Sequence, residues 1–198
     1  MPGVAPPSLV AVTGANGFLG SHVCAELLRR GYHVRATVRD PSLEAKTAHL
    51  TALAKEVGKG KLEFLAGDLF KQGGYDDAFA GCAGVVHCAA VVSSAKGGGI
   101  TDPYKQIVEP STVGTANVCK SVAKHCKTIK RLVHTSSIAA IQQYDKGEDY
   151  VFSEKDVNSW SSIENGDYYG LAKTEAEKTG RKMAEEAGVD CRWWWWWC

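Results

Sequence analysis

A doubly wound α/β fold, with a parallel sheet covered by helices on both faces, is the architecture this sequence predicts. Three observations carry it. Short apolar, β-branched runs recur along the chain with little polar alternation inside them, as strands buried on both faces require. Segments with apolar residues at helical spacing separate these runs, so consecutive strands are joined by crossovers and lie parallel. A glycine-rich turn sits between the first run and the first helical segment, where such folds bring backbone close to a ligand.

Each element follows from its own residues. Leu9-Val-Ala-Val-Thr13 is the first strand. Residues 18–30 place Leu19, Val23 and Leu27 on one helical stripe, and Gly31 ends it. Residues 33–39 form the second strand. Ser42 is positioned to cap a helix reaching Val57, which Gly58 ends. Residues 62–66 and 84–89 are the third and fourth strands. Pro110 fits the first turn of a helix extending to Cys126. Residues 131–135 are the fifth strand, 167–187 a long helix stopped by Gly188, and Val189 opens a sixth strand. Gly97-Gly98-Gly99 and the stretch 142–166 read as flexible loops. The expected organisation is a disordered lead over residues 1–8, one domain over 9–191, and a Trp-rich tail over 192–198.

Composition narrows the function. The 198 residues are 44% hydrophobic and 23% charged, ordinary for one globular domain. Lys and Arg number 23 against 22 Asp and Glu, so no basic field calls for nucleic acid. No apolar run approaches the roughly 20 residues of a membrane helix, and the N-terminus lacks the pattern of a secretory signal. The 7 cysteines are odd in number and form no C-x-x-C pair, which speaks against a disulfide framework or a zinc site and for small buried side chains in a reducing cytoplasm. Cys119 and Cys126 are expected on one helix face. The anomaly is the run Trp193–Trp197 before Cys198. In a strand it would put large rings on both faces of the sheet, so it reads as a low-complexity end.

Thr13-Gly14-Ala15-Asn16-Gly17-Phe18-Leu19-Gly20 fits T-G-x-x-G-x-x-G. The first glycine allows the tight turn out of the strand, the second lets backbone approach a pyrophosphate, and the third lets helix pack on strand. The helix start favours an anion through its free N–H groups and its dipole. In this strand–turn–helix context the pattern indicates a Rossmann-type dinucleotide site. Arg39 ends the second strand, where a carboxylate would hold the ribose 2′-hydroxyl of NAD. A guanidinium there fits a 2′-phosphate, and Lys46 can add a second cation, so NADP(H) is expected. Asp40 as a ribose acceptor keeps NAD as the alternative.

Tyr169 and Lys173 are spaced i and i+4 on the long helix, hence on one face. An ammonium beside a phenol favours phenolate, which suits proton exchange with a carbonyl or alcohol oxygen. Lys173 can also reach nicotinamide ribose hydroxyls. Tyr168 has Ala172 four residues on and is set aside. Ser137, ending the fifth strand, is the expected donor to the substrate oxygen, with Ser136 and Thr135 as alternatives. His87 and His134 border apolar strands and read as core or strand-end residues.

The segments TGANGFLGSH, VRATVRDP, AKTAHLTAL, GDL, VVHCAA, VGTANV, VHTSS and YYGLAKTEAE, in this order, resemble an extended short-chain dehydrogenase/reductase of the dihydroflavonol reductase and cinnamoyl-CoA reductase-like group. The resemblance implies catalysis by Ser137, Tyr169 and Lys173. It implies phosphate contact along Gly14, Gly17, Phe18, Leu19 and Gly20, and 2′-phosphate contact at Arg39 and Lys46. It places adenine near Asp68 and Leu69, and the ribose and nicotinamide near Cys88, Ala89 and Ala90. Gly114, Thr115 and Asn117 match a helix packed behind the site in a structural role.

Two departures accompany it. The cinnamoyl-CoA reductase signature around the tyrosine is only partly matched by Asn165-Gly-Asp-Tyr-Tyr-Gly. The tryptophans stand where the sixth strand should continue, so the chain is expected to be truncated before its substrate-binding segment. The expected activity is NADP(H)-dependent reduction of a ketone or aldehyde. The alternatives are a dinucleotide-binding domain without turnover and an NAD-dependent nucleotide-sugar epimerase or dehydratase. The expected partner is a small carbonyl or alcohol, with neither nucleic acid nor membrane, and a homodimer is left open.

Overall fold

The structure is a computed structural model that describes residues 3–90 and 100–194. The expected loop at Gly97-Gly98-Gly99 lies outside the described residues. Six strands, β1 (Leu9–Thr13), β2 (His33–Val38), β3 (Leu62–Ala66), β4 (Gly84–His87), β5 (Arg131–Thr135) and β6 (Asp190–Trp194), form one sheet in the order β3-β2-β1-β4-β5-β6. Every pairing is parallel. The order reverses between β1 and β4, and a crevice opens at that switch point beyond the strands' C-terminal ends.

Helices cover both faces because alternate strand side chains point to opposite faces and both sets are apolar. On one face Val12, Val34 and Ala36 meet Cys24 and Leu28 of α1 (Phe18–Arg29) and Leu50 of α2 (Glu44–Val57). On the other, Ala11, Val85 and Leu132 pack with Ala78 and Phe79 of α3 (Asp76–Phe79) and with Val118, Cys119 and Val122 of α4 (Glu109–Lys124). Met183 and Ala187 at the end of α5 (Tyr168–Glu186) close this second layer.

The structure corrects several expectations. β6 does not stop at Cys191: Arg192, Trp193 and Trp194 continue it, paired with Val133, His134 and Thr135 of β5. The boundary at 191 therefore falls inside a strand, and β5 is not an open edge. Its register is held by Arg131 Nη2, which lies 2.7 Å from Asp190 Oδ2. Space for the Trp193 ring comes from Gly180: a Cβ there would lie 2.5 Å from Trp193 Cη2.

The lead is tied down over its described part rather than disordered. Tyr32 Oη donates to the Val4 carbonyl at 3.0 Å, and His33 N donates to the Ser8 carbonyl at 3.1 Å. Ser42 does not cap α2, because both its amide and its hydroxyl donate to Asp40 Oδ1 in a local turn. Cys126 lies beyond the end of α4 and is exposed, so it does not share a buried face with Cys119. The stretch 142–166 is held by side-chain hydrogen bonds: Asn158 Nδ2 donates to the Ala139 carbonyl at 2.8 Å, and Ser159 Oγ donates to Gln143 Oε1 at 2.9 Å. A π-turn (Tyr104–Val108) ahead of α4 and a 3-10 turn (Ile138–Ala140) after β5 were not expected from the sequence.

Candidate active site

The glycine turn is built by close backbone approach. Gly14 adopts φ 63°, a region that disfavours any side chain, and a Cβ on it would lie 2.8 Å from Ala89 Cα. A Cβ on Gly20 would lie 2.2 Å from the Gly14 carbonyl oxygen, so Gly20 seats α1 on the turn. Thr13 joins the turn to β4. Its Oγ1 accepts from Ala89 N at 3.1 Å and lies 2.7 Å from His87 Nδ1.

A cleft of about 770 Å³ opens over this turn. Gly14 and Gly17 form its floor, with Arg39 and Lys46 on one side, Asp68 and Leu69 on another, and Cys88, Ala89 and Ala90 toward β5. The structure thus brings nine of the expected cofactor residues around one space. Phe18, Leu19, Gly20, Tyr169 and Lys173 do not line it: Phe18 is 81% exposed and stacks edge-on with His22, Gly20 is buried beneath the turn, and Lys173 lines a separate, smaller cavity.

These residues fit an extended anionic ligand with a phosphorylated ribose. Gly17 caps α1 without a side-chain bond, and a Cβ built on it would meet only the Gly14 carbonyl, so the helix start is open to an anion. Arg39 and Lys46 bring two cations to the same cleft. Asp40 also lines the cleft, and its Oδ1 accepts from both the amide and the hydroxyl of Ser42, which hold its carboxyl below the usual range. Asn16, Thr37, Leu43, Gly67, Phe70 and Tyr75 also line the cleft and were missed. Asn16, Gly67 and Phe70 carried a signal, since Asn16 lies inside the quoted glycine motif, Gly67 inside the quoted GDL segment, and Phe70 directly after it. Leu69 is held from behind: its carbonyl accepts from Asn117 Nδ2 at 2.7 Å, and its side chain packs beside Gly114, where a Cβ would lie 3.4 Å from Leu69 Cδ2.

α5 carries Tyr169 and Lys173. Asp167 caps it by accepting from Gly170 N at 3.0 Å. Lys173 Nζ lies 5.7 Å from the Tyr169 ring centroid, and Tyr169 is 44% exposed. The hydroxyls after β5 have distinct partners. Thr135 Oγ1 donates to Cys88 Sγ at 3.7 Å, and Ser136 Oγ donates to Glu177 Oε2 at 2.5 Å. Ser137 Oγ accepts from Ala139 N at 3.2 Å, which leaves its hydrogen for donation. α5 packs against the 3-10 turn that Ser137 caps.

Beneath Lys173, a cavity of about 20 Å³ is lined by His87, His134, Thr135 and Ala89 among others. The two imidazoles meet edge-on with centroids 4.9 Å apart, and Trp193 lies 4.4 Å from the His134 ring. Burial, and secondarily the charge of Lys173, pushes His87 down to about 3. Burial, then His87 and Lys173, holds His134 well below its ordinary value. Both are core histidines, as expected. Burial pushes the Cys88 thiol up to about 11, so it is a poor nucleophile. Among the described residues no group of His, Cys, Asp or Glu could hold a metal ion, and no helix is long and apolar enough to cross a membrane.

Residues 10–193 match the NAD dependent epimerase/dehydratase family, and the chain belongs to it. Dihydroflavonol 4-reductase of Arabidopsis thaliana is 38% identical over 194 residues, covering 94% of this chain and 48% of that protein. Cinnamoyl-CoA reductase CAD2 of Medicago truncatula is 34% identical over 190 residues, covering 92% of this chain and 55% of that protein. Among solved structures, Gre2 from Candida albicans in complex with NADPH superposes with TM-score 0.75 at 28% identity, covering 94% of this chain and 56% of that one. These relatives are extended short-chain dehydrogenases/reductases. The chain spans about half the length of the curated relatives it matches.

Proposed function

We propose that this chain is an NADP(H)-dependent oxidoreductase that reduces a ketone or aldehyde. The observation that carries the reading is the convergence of Arg39 and Lys46 with the Gly14–Gly17 turn on one cleft. A planar guanidinium and an ammonium at the end of β2 match a 2′-phosphate, and the open start of α1 matches a pyrophosphate. The Gre2 complex with NADPH supports the same cofactor. A nucleotide-sugar epimerase using NAD would have no need of these two cations.

A nicotinamide dinucleotide held along the Gly14–Gly17 turn, Arg39 and Lys46 would supply the hydride for the carbonyl carbon. The chain's own groups do the rest. The Ser137 hydroxyl donates to the substrate oxygen and fixes its direction. The Tyr169 hydroxyl gives its proton to that oxygen as the alkoxide forms, and the phenolate takes a proton back from solvent. The Lys173 ammonium favours the phenolate electrostatically and hydrogen-bonds ribose hydroxyls. The relatives point to a carbonyl of dihydroflavonol, cinnamoyl-CoA or simple aldehyde type. Cytoplasmic residence fits the free cysteines.

The test is NADPH consumption over a panel of such carbonyls by purified protein. Tyr169→Phe is expected to lower kcat about 100-fold or more while NADPH still binds. Unchanged turnover in that variant would refute the assignment.

A further inference from the structure

Glu177 lies two turns beyond Tyr169 and one beyond Lys173 on α5, so Tyr169, Lys173, Glu177 and Arg181 share a stripe at i+4 spacing. The glutamate is only 8% exposed. A carboxylate is expensive to bury unless its oxygens are matched by donors, and here both are. Oε2 accepts from Ser136 Oγ at 2.5 Å, and Oε1 accepts from Arg181 Nε at 2.9 Å. Ser136 is itself buried and directly precedes Ser137. Arg181 lies 5.1 Å over the Trp193 ring, so the guanidinium is braced by β6. A line of contacts thus runs from the end of β5 through α5 to β6.

We infer that Glu177 is a positioning residue. By holding Ser136 it fixes the Ser136-Ser137 end of β5 against the face of α5 that carries Tyr169 and Lys173. Its catalytic consequence rests on the reductase reading above. Ser137 and Tyr169 come from different elements and must meet one substrate oxygen, and a misplacement of about 1 Å costs on the order of 100-fold in rate. The 3-10 turn after Ser137 is a single short turn packed against α5, and the Ser136–Glu177 bond adds a directed, charge-assisted link to that contact.

The experiment compares Glu177→Ala, Glu177→Gln, Ser136→Ala and the Ser136→Ala/Glu177→Ala double variant, with Glu175→Gln on the same helix as control. Glu177→Ala is expected to lower kcat about tenfold while the KM for NADPH changes less than about twofold. Glu177→Gln, which keeps the shape and one acceptor, recovers part of the loss. The double variant is no slower than the slower single, because both remove one interaction. Unchanged kcat in Glu177→Ala overturns the inference, as does a loss that only tracks the fraction of protein folded. A wild-type chain without turnover overturns the reductase reading instead. Amide hydrogen exchange then decides: faster exchange confined to residues 135–141 in Glu177→Ala supports the positioning role, and no change or uniform acceleration across the sheet overturns it.

Discussion

Gly14 and Ala89 meet backbone to backbone where the strand order reverses, so closely that a Cβ on Gly14 would lie 2.8 Å from Ala89 Cα and 2.9 Å from Ala89 N. The glycine turn is therefore locked to the end of β4 as well as to α1. Gly14→Ala is expected to lower unfolding free energy by at least about 1–2 kcal/mol through the φ of 63° alone, with the contact adding to it. The variant should also lose cofactor binding at temperatures where it remains folded. Chemical denaturation and a binding titration on the same sample read both effects. A variant with wild-type stability and binding would contradict the described turn.

The buried imidazoles make stability depend on pH. His87 and His134 are neutral in the folded chain, their protonation opposed by burial first and then by neighbouring charge. In the unfolded chain both titrate near 6.5. Above about 6.5 neither state is protonated and the full stability is present. As pH falls below that, the unfolded chain binds protons that the folded chain refuses, until His87 titrates in the fold near about 3. Unfolding free energy is expected to fall between pH 7 and pH 5 with a slope approaching 1.4 kcal/mol per pH unit for each histidine, a value set by linkage and about that size at most. Replacing His87 with Asn should flatten the curve, and a curve already flat in the wild-type chain would refute the neutral pair.

Trp193 and Gly180 are complementary, one supplying a ring and the other its space. Trp193→Ala is expected to cost about 3 kcal/mol of stability. Gly180→Ala should destabilise the chain while Trp193 is present, since the new methyl would lie 2.5 Å from Cη2. In a Trp193→Val background the same substitution should cost less, the remaining close approach being Thr115 Cγ2 at 3.2 Å. The difference is measured by a double-mutant cycle in denaturant. Equal effects in both backgrounds would show that the ring does not sit against α5.

Much of this was legible because strands buried on both faces and the glycine turn leave strong local patterns. Strand positions, the glycine turn and the Tyr169–Lys173 spacing follow from periodicity and from backbone demands that only certain residues meet, Arg39 follows from its place at a strand end, and Asp68, Leu69, Cys88, Ala89 and Ala90 were expected from the family resemblance. What was not legible depends on contacts between distant segments. Ser42 looks like a cap until Asp40 is seen to take both its donors. The tryptophans look unfit for a strand until Gly180, on another element, is seen to make room. Glu177 reads as one more charge on a polar helix face, and only the fold brings Ser136 to it.

Parallel titration of the purified chain with NADPH and NADH shows whether Arg39 and Lys46 make the cleft an NADP site. NADPH is expected to bind at least about tenfold more tightly than NADH, as charge-assisted bonds to a 2′-phosphate would provide. Arg39→Ala should remove most of that difference by weakening NADPH while leaving NADH unchanged. Equal affinity for the two cofactors in the wild-type chain, or a preference for NADH that Arg39→Ala does not alter, would contradict the account.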